Sequence, residues 1–280
     1  MDLSRSQGET YYNTVPCGKC PLCLKAKINS WLFRLDKELE RSKNPLFCTL
    51  TYATQNLKYH EYIDTETGEI STTPTLHKKD LQDFFKRLRK AHDKAYPGSL
   101  PLKYYAVGEY GTKRKRPHYH IILFNCLDSS LVHTAWGKGH TYNPPLREGG
   151  TGYVLKYLSK PNTKNKYRQP EFSLMSKKMG DNYLTPQMIK YHKSTEKNSL
   201  VTTNQGYKMA MPKYYKEKIF DEQQRKTVTE YLQKRIEDKQ NAFLALKKRQ
   251  YPNRDENFYQ NLLEQSKNLI KFDERKNEVL

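Results

Sequence analysis

Two strand-like runs around a basic turn constrain this chain more than any other feature. Residues 102–110, LKYYAVGEY, and 118–124, HYHIILF, carry aromatic and β-branched side chains and are separated by GTKRKRP. Runs of this kind pair as an antiparallel hairpin, and in a strand residues two apart share a face. His118 and His120 therefore point the same way, Ile122 and Phe124 continue that face, and Tyr119, Ile121 and Leu123 take the other. Pairing across the turn brings Glu109 close to His118, on a face with Val107 and Tyr105.

The flanking patterns extend this to a fold class. LKAKINSWLFRLDKELERS sets Ile28, Trp31, Leu32, Leu35 and Leu39 at helical spacing, and PLFCTLTYA (45–53) reads as a strand. Residues 54–75 read as loop with a turn from Asp64 to Gly68. TLHKKDLQDFFKRLRKAH then gathers Leu81, Phe84, Phe85 and Leu88 on one face of a helix. GGTGYVLKYLSK (149–160) passes from loop into helix, with Thr151 placed to cap it. The order α-β-α-β-β-α predicts an α+β fold, an antiparallel sheet with helices packed on one side. After about residue 180 the strand signal fades, and residues 221–250 and 254–275 are charged and helical in pattern. Three parts follow: a cysteine-rich segment (1–30), a central domain (31–220) and a helical C-terminal extension (221–280). The extension reads either as a solvated arm or as one that clamps DNA or a partner.

The charge balance narrows the partner. Among 280 residues, 50 are Lys or Arg and 30 are Asp or Glu, a net +20 that calls for a polyanion. The 22 tyrosines favour nucleic acid over a lipid surface, because aromatic faces stack on unpaired bases. No apolar run approaches the ~20 residues of a membrane span, and the polar N-terminus does not read as a signal peptide. A reducing cytoplasm is expected, where five cysteines serve as thiols or metal ligands.

Two imidazoles and a carboxylate with open positions can hold a divalent ion able to polarise a phosphodiester oxygen. Mg²⁺ or Mn²⁺ suits such a set, and Zn²⁺ also fits. A histidine pair of this spacing also occurs at strand edges bonded only to water. On the helix 153–160, about 100° per residue gathers Tyr153, Lys156, Tyr157 and Lys160 on one stripe, with Val154, Leu155 and Leu158 opposite. A free phenol has a pKa of about 10, so a tyrosine nucleophile needs a nearby cation or metal. The same stripe is also compatible with a solvated helix face.

In order, FCTLTY (47–52), GEYG with RPHYHIILF (108–124) and YVLKYLSK (153–160) resemble the three motifs of HUH-superfamily rolling-circle replication initiators. The likeness is greatest to the replication initiator of gokushovirus-type microviruses, which are single-stranded DNA phages. PCGKCPLC, DLQDFFKRLRK, FSLMSKKMG and MPKYYKEK look like that group as well, and the likeness spans residues 15 to 220 or so. The resemblance implies a metal-dependent endonuclease and strand transferase. His118 and His120 match the histidine pair, Glu109 the third ligand, and Tyr153 and Tyr157 the two nucleophiles. Lys156 and Lys160 match supporting lysines, and Thr49, Thr51 and Tyr52 match the first motif. One tyrosine becomes joined to the DNA 5′ end, the freed 3′ hydroxyl primes host polymerase, and the second tyrosine releases a strand that closes to a circle. Tyr119 stands where the superfamily has a bulky apolar residue, and it faces away from the metal. No phosphate-binding loop of the GxxxxGK[ST] kind occurs, so unwinding falls to a host helicase in the bacterial cytoplasm. A two-tyrosine transposase and a non-catalytic single-strand binder are the alternatives.

Two further groups stand out. Lys113, Arg114, Lys115 and Arg116 crowd the turn beside the histidines, suited to phosphate contacts that position DNA without reading sequence. Cys17, Cys20 and Cys23 have the spacing of a zinc clasp. Cys48, Cys126 or a histidine could complete it, and iron–sulfur binding ranks lower.

Overall fold

The computed structural model describes residues 17–18, 20–111, 114–147, 149–156 and 167–265. Helix α1 (Pro21–Arg41) leads into β1 (Leu46–Thr51), then the hairpin β2 (Tyr59–Ile63) and β3 (Ile70–Pro74), and helix α2 (Lys78–Ala95). The expected hairpin follows as β4 (Lys103–Tyr110) and β5 (Pro117–Phe124). Then come α3 (Ser130–Trp136), β6 (Thr141–Tyr142), α4 (Gly150–Leu155) and β7 (Phe172–Met175). The C-terminal part holds α5 (Pro186–Lys193), β8 (Leu200–Thr202), β9 (Lys208–Ala210), α6 (Lys213–Ile219) and α7 (Glu222–Gln250).

The central sheet is antiparallel, in the order β6-β1-β5-β4-β7. The class is α+β with a helical C-terminal region, as the sequence predicts. The helices, however, cover both faces rather than one. The reason lies in the run Ile121, Ile122, Leu123 and Phe124, apolar at consecutive positions and fully buried on both sides. On one face, Cys48, Leu50, Ala106, Tyr119, Ile121 and Leu123 pack under Leu81, Phe84, Phe85 and Leu88 of α2 and Trp136 of α3. Burying each such side chain stabilises by roughly 2 kcal/mol. On the other face, Tyr105, Val107, Ile122 and Phe124 pack under Leu35 of α1 and Val154 and Leu155 of α4. The far side of α1 presents Phe33 to a third core with Tyr215, Ile219 and Phe220. Glu38 ties these layers together. Although burial opposes its charge, hydrogen bonds from Arg41, the Gly180 N–H and Lys103 hold its carboxyl below the usual range.

Local expectations meet mixed outcomes. Residues 54–75 form more than a loop: β2 and β3 pair on their own, joined by the expected turn, where Asp64 Oδ1 accepts from Glu66 N and Gly68 takes φ +74°. Thr151 does not cap α4. Gly149, at φ +76°, occupies the cap position, and Thr151 lies within the first turn. Helix α7 starts at a capping box made by Asp221 and Gln224. Its Val228 and Leu232 join the third core, while Ile236 and Leu246 stay exposed.

Gly139 shows how tightly the end of β1 is held. A Cβ there would lie 2.2 Å from Thr51 O and 2.4 Å from Ala53 N, both backbone atoms. Gly139→Ala should therefore cost about 2–4 kcal/mol. Denaturant unfolding should show the midpoint falling with an unchanged slope.

Candidate metal and nucleophile site

Glu109 of β4 and His118 of β5 are direct cross-strand partners, and His120 sits opposite Val107 two places along. The side chains converge as this register demands. His118 Nε2 is 2.7 Å and His120 Nε2 3.2 Å from Glu109 Oε1, and one ligand atom from each residue lies within 4.8 Å of the others. Ligands about 2.1 Å from an octahedral ion are neighbours at about 3.0 Å, so these separations fit a coordination sphere. Glu109 and His120 are buried, while the His118 side chain keeps 18% of its exposure, which opens the cluster toward solvent at one end.

The other ring nitrogens are held from behind. His118 Nδ1 lies 3.1 Å from the Arg116 carbonyl, which can only accept, so Nδ1 carries the proton and Nε2 faces Glu109. His120 Nδ1 lies 3.2 Å from Thr49 Oγ1, whose residue is the β1 partner of His120. Outer contacts of this kind orient ligand histidines. This gives Thr49 a place in the site that sequence reasoning left undefined. Thr51 instead donates from Oγ1 to the His140 carbonyl.

Phe47 links the cluster to α4. Its ring stacks on His120 with centroids 5.7 Å apart and meets Tyr153 edge-on at 5.6 Å. Tyr153 is half exposed and Lys156 exposed, while Val154 and Leu155 are buried, so the expected division of this helix holds where it is described. Tyr157 and Lys160 lie outside the described residues, as does Lys113. The hairpin's own tyrosines are different. Burial pushes the Tyr119 phenol up to about 12, and it bonds with Tyr52 and the His77 backbone on the opposite sheet face. Burial raises Tyr105 as well.

Helix α4 is pinned to α1 by a hydrogen bond from Thr151 Oγ1 to Asp36 Oδ1, 3.1 Å long. Burial raises the Asp36 carboxyl to about 6, against the hydrogen bond from Thr151 and the nearby Lys37 charge. The fold thus favours the protonated acid over the ionised one. The resulting penalty is present above pH 6, shrinks as pH falls through that value, and is gone below the unfolded value of about 4. Asp36→Asn should raise the melting temperature by a few degrees at pH 8, with the gap closing by pH 4, read by circular dichroism.

In the basic turn, Arg114 and Lys115 are exposed, but Arg116 is engaged, donating from Nη2 to the Tyr52 carbonyl at 2.8 Å. Arg168, which no sequence motif marked, joins this turn to the β2–β3 hairpin. It donates from Nη1 to Lys115 O and from Nε to Thr73 Oγ1, and its guanidinium lies over the Tyr110 ring. Away from the site, Cys17, Cys20 and Cys23 cluster at the start of α1. Neither Cys48 nor Cys126 can complete that cluster. Both are buried in the core under α2 and α3, across the sheet from α1, and burial raises both thiols, Cys126 to about 11. Among the described residues, no helix is long and apolar enough to cross a membrane.

Sheet and site together define a class: an α+β protein with a candidate divalent-metal cluster on adjacent central strands and a tyrosine-bearing helix over the same face. Residues 45–162 match the family model for the replication-associated protein ORF2. The chain is 29% identical over 248 residues to the replication-associated protein ORF2 of Spiroplasma virus 4, covering 80% of this chain and 73% of the relative. It is 23% identical over 222 residues to the replication-associated protein VP4 of Bdellovibrio phage phiMH2K, covering 72% and 66%. It is also 23% identical over 232 residues to the replication-associated protein ORF4 of Chlamydia phage 1, covering 72% and 53%. No solved structure matches the chain. These matches bear out the resemblance drawn from the motifs: the chain is a relative of microvirus replication-associated proteins.

Proposed function

We propose that this chain initiates phage DNA replication by nicking one strand at the origin through a tyrosine nucleophile, and later rejoins the displaced strand. The observation that carries this reading is the shared sheet face, where Glu109, His118 and His120 lie one aromatic ring away from Tyr153. A divalent ion held by those three residues, Mg²⁺ or Mn²⁺, supplies Lewis-acid polarisation of a phosphodiester oxygen. Tyr153 Oη attacks phosphorus, the phenol proton passes to solvent, and the P–O3′ bond breaks to leave a 3′ hydroxyl. One phosphoester replaces another, so the bond energy is kept in a 5′-phosphotyrosine. Tyr157 repeats the exchange at the regenerated origin. Lys156 and Lys160 hold the phosphate, and Thr49 keeps His120 in its ligating orientation.

Residues 31–220 form the nicking unit, with a cysteine-rich segment before it and the helical extension 221–280 after it. Arg114 and Lys115 offer phosphate contacts beside the site, so DNA binding weakens steeply with salt. Host polymerase extends the 3′ end and a host helicase unwinds ahead of it in the bacterial cytoplasm. The test is incubation with single-stranded origin DNA and Mn²⁺, followed by a denaturing gel. A protein–DNA band that survives denaturation is expected. Tight binding without that band would mark a non-catalytic single-strand binder. Failure to yield closed single-strand circles from a duplex circular origin would favour transposition instead.

A further inference from the structure

The cysteine cluster is untouched by the proposed chemistry, and its geometry has its own logic. Cys17 Sγ and Cys23 Sγ are 3.9 Å apart, and all three sulfurs lie within 4.8 Å of one another. A disulfide would need about 2.05 Å. Two thiolates on one tetrahedral Zn²⁺, each at about 2.3 Å, stand about 3.8 Å apart. The loop is shaped to present sulfur inward. Gly18 takes φ +71°, a conformation that a side chain would strain, and the Cys20 N–H donates to Cys17 Sγ at 3.2 Å.

The start of α1 supplies a second reason. Cys20 is the N-cap residue and Cys23 the third residue of the helix, the two positions a capping box would fill with Ser or Thr and Glu. Cys20 makes no side-chain capping bond, and the first turn holds no acid. A helix of 21 residues thus begins without the usual negative partner for its positive end. Thiolates at those positions, drawn together by a cation, would supply both the charge and the closure.

We propose that Cys17, Cys20 and Cys23 bind one Zn²⁺ through three thiolates, separately from Glu109, His118 and His120, and that this ion anchors the N-terminal end of α1. Among the described residues no further His, Cys, Asp or Glu joins the cluster, which leaves a fourth position for water or an exogenous donor. The anchor bears on the face that carries the histidines, because α1 holds both Leu35 under the sheet and Asp36 against Thr151 of α4.

The experiment is metal analysis of the full-length protein after gel filtration, with Co²⁺ replacement as a second readout. One zinc per chain is expected, together with a sulfur-to-cobalt charge-transfer band. Both should vanish in Cys17→Ser/Cys20→Ser/Cys23→Ser and persist in His118→Ala/His120→Ala. Should the triple variant fail to fold, the single Cys20→Ser serves, with a weaker and shifted cobalt band expected. Sub-stoichiometric zinc in the wild type, zinc retained by the triple cysteine variant, or bound iron with sulfide would each overturn the proposal. None of these readouts needs DNA cleavage, so the zinc site and the nicking reading can fail independently.

Discussion

His120→Ala should lower metal-dependent strand cleavage by at least about 10³-fold while leaving the melting temperature nearly unchanged. The size follows from what is lost. Polarisation of a phosphoryl oxygen is worth several kcal/mol, and each ~1.4 kcal/mol is tenfold in rate. Stability should survive because the face bearing His120 is anchored by Tyr105, Val107, Ile122 and Phe124, which remain. Removing the imidazole also relieves Glu109 of one close neighbour, so the carboxylate keeps His118 at 2.7 Å. Single-turnover cleavage of labelled origin strand, titrated with Mn²⁺, is the measurement. A cleavage rate within tenfold of wild type at saturating Mn²⁺ would sink the ligand assignment. Thr49→Val supplies a graded control. It removes only the hydroxyl behind His120, and a loss of about 10- to 100-fold in metal affinity or rate is expected.

The second large effect concerns the phenols. Tyr153→Phe combined with Tyr157→Phe should remove the denaturation-resistant DNA adduct down to background while leaving single-strand affinity within a few-fold. Phenylalanine keeps the edge contact of residue 153 with Phe47, so packing is preserved there and only the attacking oxygen is gone. Tyr153→Phe alone should retain one cleavage event and lose strand closure, because closure needs two successive nucleophiles. An adduct that persists in the double variant would refute both assignments. The buried Tyr119 and Tyr105 are poor substitutes, since burial disfavours their phenolates.

The metal half of the candidate site was legible in the sequence because strand periodicity is strict. Once residues 118–124 are a strand, His118 and His120 must share a face, and the short turn leaves Glu109 one natural partner. The pairing of Glu109 with His118 is what the structure shows. Helices on both faces could have been read from Ile121 to Phe124, where the alternation of a one-faced strand breaks down. The positions of Thr49 and Phe47 could not, because they depend on β1 lying beside β5, a pairing between residues some 70 apart. The β2–β3 hairpin escaped notice because its strands bury little: Tyr59, Ile63 and Ile70 are exposed, and acids interrupt the apolar pattern. Arg168 lay beyond reach for a related cause. Its partners are a hydroxyl and a carbonyl from two separate segments, and no local pattern encodes that.

The sheet's two faces make strand β5 intolerant of insertions and deletions. Its odd positions, Tyr119, Ile121 and Leu123, feed one core, and its even ones carry the histidines and the other core. Adding or removing one residue between His118 and Phe124 would exchange the two sets at a stroke. The imidazoles would then turn under α2, and Tyr119 would turn toward α4. Length variation among relatives should therefore gather in the turn between β4 and β5 and be absent from the strand itself. In this protein the histidine pair is protected by its parity as much as by its chemistry.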